Sequence, residues 1–439
     1  MLSLRFVLRL FLAFVVRFRF VIIASLALGI AAFFLITNFG LPILQRGYER
    51  VGIAGRYRPE NLPDFILNML SDGLTRIDES GAVVPALATS WETPDKGRTW
   101  TFTLAGGTWQ DGEKITSEHI SYEFSDVSIE RPDEDTIVFK LDNPFSPFPA
   151  VVARPVFRQG LLGVGEWRVS KVRLSGSYVS FLEILDSERN KKIYKFYPTE
   201  ERAKLAFKLG EVDTLDGLFS PTPFNSWKVA SVIENTDIHR AAVIFLNTSD
   251  KFLSEKNLRQ ALYYAIDKDE FGGPRTLSPI APDSWAFNPQ VKPYNFDPER
   301  AKELIDELAD ETKAELSIKL VTPPLLLSQA EKIAGYWKEV GVDTLVQVSS
   351  GIPSEYQALL AIYDIPKDPD QYALWHSTQE ATNISKLKNP RIDALLESGR
   401  SELSLEERKN IYLDFQRFLL EEAPAIFLYY PITYTISRL

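Results

Sequence analysis

No cysteine occurs anywhere in the 439 residues. Disulfide staples, thiolate zinc sites, a cysteine nucleophile and a lipid carried on an N-terminal cysteine are excluded by that one absence. Histidine is scarce as well. His119, His239 and His376 stand far apart, and none sits in an H-E-x-x-H run. They read as solvated or structural groups rather than as metal ligands or a catalytic base. Neither a G-x-S-x-G elbow nor a Walker A loop is present. The glycine-rich stretch 160–165 fails the dinucleotide pattern, because Glu166 and Trp167 follow where a helix should open. It reads as a turn before a strand. No metal, cofactor or catalytic group is expected, and there is no internal repeat or low-complexity tract.

Positive charge is short in the body of the chain. Residues 1–50 carry six arginines and one glutamate, which leaves 43 of the 49 basic and 58 of the 59 acidic side chains beyond them. A body with that acidic excess has no affinity for nucleic-acid phosphates or an anionic membrane surface. Charge is missing altogether from 20–45, a run long enough to cross a bilayer as a helix. Arg5, Arg9, Arg17 and Arg19 precede it, so the positive-inside rule places the N-terminus in the cytoplasm and the body outside the cell membrane. Segment 1–19 is expected to be basic and cytoplasmic or interfacial, 20–45 a single-pass anchor in the lipid bilayer, and 46–57 a linker. A cleaved signal peptide is the competing reading. The small-x-small sites at 25–29 lie early in the apolar run, which favours an uncleaved anchor.

Beyond the linker, strands and helices alternate, the mark of α/β layers. Trp100, Phe102 and Leu104 share one face of a strand at 98–104, and Ile137, Phe139 and Leu141 repeat the period. Thr199 opens a helix that Gly210 closes. Ser254 opens another, with Leu258, Ala261, Leu262, Ala265 and Ile266 along one stripe. Asp297-Pro298 and Asn389-Pro390 are helix starts. Ser328 with Glu331 and Ser404 with Glu407 form capping boxes. Strands are expected at 315–321 and 342–348. The helix after Ser404 should bury Ile411, Phe415, Phe418 and Leu419, and one aromatic strand, 425–436, should end the chain.

A long ordered set of residues then becomes recognisable. It runs through Gly73-Leu74, Pro85, Leu87-Ala88, Ser90-Trp91, Thr99 to Leu104, Trp109 and Asp111-Gly112. It continues through Gly210-Glu211-Val212-Asp213, Phe245-Leu246-Asn247, Leu258 to Asp267, Asn389-Pro390 and Glu422 to Ile426. Over roughly 60–438 the chain resembles the dipeptide- and oligopeptide-binding proteins of ABC importers, solute-binding protein family 5. It departs from that pattern at His119, at 163–167, in a shortened segment after Phe124, and at Ala361, where an aromatic is usual.

The resemblance implies a two-lobe α/β clamp of the type II periplasmic-binding-protein kind. Lobe one would be 58–240 with the terminal strand 425–439, and lobe two 241–424. The implied partners are a small peptide or peptide-like ligand and ABC permease subunits. By the same resemblance Asp364 would meet the ligand's amino terminus, while the strand backbone at Ile362 and Tyr363 would pair with the peptide. Trp285, Tyr372 and Trp375 are candidate cleft aromatics. Two other readings compete: a membrane-tethered hydrolase using Asp364 with Asp368 or Asp370, and a sensory or scaffolding ectodomain.

Overall fold

The computed structural model describes residues 17–21, 25, 28–30, 33 and 48–439. The expected basic segment 1–19 and anchor 20–45 lie largely outside these residues. Among the described residues no helix is long and apolar enough to cross a membrane.

Residues 48–54 of the expected linker 46–57 are instead a strand. β1 (Tyr48–Ala54) runs parallel to β10 (Lys191–Tyr197) along its whole length and to β11 (Thr214–Leu218) at Val51 to Ile53. Gly52 serves close packing. A Cβ on Gly52 would stand 2.9 Å from a Leu215 methyl. Val51 and Ile53 are buried, and Arg50 grips Asp213 through two bonds of 2.7 and 2.6 Å. β1 is the centre of a seven-stranded sheet. On one side lie β11, β18 (Ile432–Arg438) and β12 (Ala230–Thr236); on the other lie β10, β9 (Tyr178–Leu185) and β8 (Arg168–Ser175).

A smaller four-stranded antiparallel sheet has the order β4 (Ala88–Glu92), β5 (Thr99–Leu104), β7 (Thr136–Leu141), β6 (Val127–Asp133). Its inner face is the aromatic alternation seen in the sequence: Trp100, Phe102, Ile137 and Phe139 are buried against Phe148. A short hairpin, β2 (Thr75–Ile77) with β3 (Val83–Pro85), leads into it. Gln110 ties this part to the seven-stranded part, its amide donating to the carbonyls of Gly165 and Trp167 at 2.8 Å.

The rest of the chain surrounds a five-stranded sheet, β15 (Asp343–Val348), β14 (Ser317–Thr322), β16 (Ala358–Asp364), β13 (Arg240–Leu246), β17 (Ala425–Tyr429). β13 is buried over nearly its whole length, as a central strand covered on both faces must be. The helix Lys256–Tyr264 lays the expected apolar stripe on it, with Leu258, Ala261 and Leu262 inaccessible. The expected terminal strand is corrected here. Tyr430 and Pro431 break it, so β17 completes the five-stranded sheet while β18 returns to the seven-stranded one. A proline has no N–H for a ladder, and the chain changes sheets where that donor is missing. The chain crosses between the two large sheets twice, once between β12 and β13 and once at Tyr430-Pro431.

One buried cation gives this body a pH dependence. The Lys268 amine donates to the carbonyls of Tyr263 and Ile266 at 2.8 and 2.7 Å. Burial, reinforced by nearby Arg275, lowers its pKa from 10.5 to about 7. Below that value folded and unfolded chains both hold the proton, and the group contributes no pH dependence. Above it the unfolded chain still binds a proton that the folded chain has released, so rising pH favours folding until the ordinary lysine range is reached. Urea midpoints should therefore rise between pH 7 and about 9.5. Lys268→Met should flatten that rise, and an unchanged slope in the variant would show that other groups produce it.

Candidate functional site

The two crossings lie beside a polar cavity of about 540 Å³. The end of β1 supplies Ala54, the middle of β11 Asp216, the end of β12 Asn235, and the first half of β18 Thr433 and Thr435. Tyr57 and Arg240 complete the wall. The Thr435 hydroxyl donates to Asp216 at 2.8 Å and accepts from the Asn235 amide at 2.9 Å. Burial raises the Tyr57 pKa, and the charge of Arg240 works against that rise. A second cavity, of about 320 Å³, lies between the turn of the β2–β3 hairpin and the segment 281–284. There His239 Nε2 stands 3.1 Å from Asp283. The hairpin comes close to the part built on the five-stranded sheet: a Cβ on Gly81, whose φ is +77°, would lie 3.6 Å from Trp285 Cδ1.

Asp364 ends β16 at the first junction, with its side chain 83% exposed. It is not a free carboxylate. Arg240, directly opposite on β13, donates to it at 2.9 Å. Sequence reasoning missed Arg240, because cross-strand register is invisible to local periodicity. Ile362 is half-buried on the same strand. β14 pairs with β16 only at Ala358 and Leu359, so from Leu360 to Asp364 that edge has no strand beside it among the described residues.

The other candidates separate into two groups. Tyr363 and Trp375 face the core, the latter 1% exposed, and both donate to one acceptor, Gln371 Oε1, at 2.8 and 3.1 Å. Burying a phenol and an indole requires partners for their donors, and Gln371 supplies them. The expected cleft position of Trp375 is thus corrected; Tyr363, expected to contribute only its backbone, turns its side chain inward while its backbone lies along the open edge. Trp285 stands beside the smaller cavity with the Arg408 guanidinium 5.4 Å from its ring centre. Tyr372 lies elsewhere, stacked on His376 at 4.0 Å with Arg400 3.9 Å from its ring centre.

The carboxylates of the Asp-Pro loop are committed to structure. Asp368 takes two bonds from Arg408, at 2.8 and 2.6 Å, and Asp370 takes two from Arg400 Nε, at 3.2 and 2.9 Å. Burial works against the Arg408 charge, but the bonds to Asp368 outweigh it and hold its pKa above the usual guanidinium value. Neither carboxylate is free to act as an acid or base beside Asp364. Among the described residues no group of three or more histidine, aspartate or glutamate side chains is placed to hold a metal ion.

Known proteins share this arrangement. Residues 189–379 match the model for bacterial extracellular solute-binding proteins, family 5, middle part. The dipeptide-binding protein of Escherichia coli is 23% identical over 441 aligned residues, covering 79% of this chain and 80% of that protein. The nickel-binding periplasmic protein of the same organism is 24% identical, covering 65% and 67%. Among solved structures, NikZ from Campylobacter jejuni in complex with Ni(L-His) superposes with a TM-score of 0.72 at 21% identity, covering 89% of this chain and 94% of that one. DppA from Helicobacter pylori in complex with the peptide STSA gives 0.69 at 19%, covering 90% and 95%. These structures share the two-lobe α/β periplasmic-binding-protein fold, and the central segment of the chain matches the bacterial extracellular solute-binding proteins of family 5.

Proposed function

We propose that this chain is the extracytoplasmic substrate-binding component of an ABC importer, holding a peptide or peptide-like solute between its two lobes. The observation that carries this reading is the polar 540 Å³ cavity at the crossings, whose Arg240 pairs with Asp364 at the end of a strand that has one open edge. An extended peptide adds to such an edge through its backbone, so side-chain identity can vary. Family 5 proteins are binding proteins rather than enzymes. The engagement of Asp368 and Asp370 by arginines speaks against the hydrolase alternative, and the importer kinship of the relatives favours transport over a purely sensory role. Lobe one would hold the seven- and four-stranded sheets, and lobe two the five-stranded sheet. ABC permease subunits are the membrane partners, and segment 20–45 would tether the body to the bilayer. The N-terminal peptide of protein taken from native membranes distinguishes such an anchor from a cleaved leader.

Asp364 is the anchor for a ligand ammonium in this reading, and Arg240 is the counter-charge that the ammonium displaces. An exposed cross-strand ion pair is worth only about 0.2–1 kcal/mol, so the exchange is easily offset once closure dries the site. A peptide library screened by thermal shift should give hits, because ligand at a hundredfold excess over Kd adds about 2.7 kcal/mol to the folded state. Small-angle scattering should show compaction with the same peptides. Asp364→Asn should weaken free-amino peptides about tenfold and leave N-acetylated ones unaffected, given the strength of charged hydrogen bonds. Arg240→Gln should act in the opposite direction. If both variants bind both peptide forms as the parent does, Asp364 is not the anchor. If no peptide is bound or compacts the protein, the peptide reading itself is lost.

A further inference from the structure

The helix Pro390–Ser401 in the five-stranded part ends with carbonyls that its own backbone leaves without donors. Two of them are met from the other lobe. The Ser146 N–H donates to Arg400 O at 2.6 Å, and the Ser146 hydroxyl donates to Gly399 O at 3.2 Å. Ser146 lies in the loop 142–147 that follows β7, 253 positions away from Gly399 in sequence. Beside it Phe145 sets its ring 5.0 Å from the Arg400 guanidinium. That guanidinium is already fixed from its own side, by Asp370 at 2.9 Å and by the face of Tyr372, which in turn stacks on His376. A pocket of about 370 Å³ with apolar walls, including Phe124, Phe148 and Val151, adjoins the contact.

We propose that the loop 142–147 is a latch: it caps the end of this helix from across the cleft and biases the lobes toward closure. The proposal rests on the hinge-closing reading above but not on what the solute is. The half in lobe two is preorganised, because Arg400 is held by Asp370 and Tyr372 whether or not Phe145 is present. Closing the lobes therefore orders only the loop, and little side-chain entropy is lost when Phe145 reaches a stationary cation. The Gly399 carbonyl also accepts from Arg408 at 2.9 Å, so on opening it keeps one partner. The Arg400 carbonyl must find water instead. Such a contact is strong enough to shift a two-state balance and weak enough to release.

The test uses the full chain without added solute. Because the sequence contains no cysteine, Ser128→Cys on β6 and Lys409→Cys on the helix Leu405–Glu422 give a unique pair of spin-label sites, both exposed and one on each lobe. Pulsed-dipolar distances then count closed and open molecules. Ser146→Pro removes both donors, and Arg400→Lys keeps the charge beside Asp370 but loses the flat face. Each should lower the closed-to-open ratio about tenfold while leaving the circular dichroism unchanged. Should either variant melt early, Phe145→Leu keeps apolar contact in its own sheet and removes only the ring, and should lower the ratio in the same direction. Unchanged ratios in folded variants overturn the latch, as does a parent already fully open. Peptide binding measured on the same variants reports on the solute reading separately: peptides that still bind despite unchanged ratios would sink the latch alone.

Discussion

A chain begun at residue 55 should fail to melt cooperatively, whereas one begun at residue 47 should fold. The sequence placed 46–57 in a linker, which would make the two chains equivalent. Their difference is β1, the strand that joins the two halves of the seven-stranded sheet. Deleting it exposes facing edges on β10 and β11 and leaves Asp213 without Arg50. It also removes Val51 and Ile53 from the core shared with Ile66, Leu70 and Phe196. Two buried aliphatic side chains account for about 3–6 kcal/mol, before any ladder bond is counted. A domain's whole stability is only about 5–15 kcal/mol. Circular dichroism melts of the two chains decide the matter, and midpoints within a few degrees of each other would mean that β1 is dispensable.

Asp368→Asn should cost about 3–5 kcal/mol in the second lobe, the penalty for stranding a buried charge. Arg408 is 6% exposed and cannot turn to water without leaving its place between Trp285 and Tyr412. Replacing both partners, as in Asp368→Leu with Arg408→Met, should cost less than the single change, because no unpaired charge remains. Urea unfolding of the two singles and the double supplies the full cycle. A single variant within 1 kcal/mol of the parent would mean that water already reaches the pair. The consequence extends to the site, because the loop that Asp368 pins follows directly from Asp364.

What the sequence revealed and what it hid divide along physical lines. Local signals were dependable. Thr199, Asp297, Asn389 and Ser404 each accept the backbone N–H expected of a helix cap, and Gly210 and Gly341 take positive φ where helices stop. Ser328 was misread. The helix Leu327–Glu339 begins one residue before it, led in by Pro323-Pro324, and Ser328 caps nothing. The stripe on the helix Leu405–Glu422 is also rotated, since Gln416 is fully buried rather than Ile411. Its amide and carbonyl are satisfied by Ala286, Tyr412, Asn288 and Ser278, so a polar residue can occupy the core. Pairing across long separations was out of reach. Nothing local announces that Arg240 faces Asp364, that Gln371 draws Tyr363 and Trp375 inward, or that residues 48–54 are a strand whose partners lie more than a hundred positions away.

That last feature sets an order of events during biosynthesis. β1 has no partner until β10 and β11 have been made, and the sheet it centres still lacks β18 until residues 432–438 emerge. The five-stranded sheet likewise waits for β17. Neither large sheet can close before β17 and β18 have been made, so through the synthesis of the preceding residues only the four-stranded sheet and the β2–β3 hairpin can be completed from neighbours in sequence. A protein wired this way reaches its destination before it reaches its fold whenever translocation keeps pace with translation.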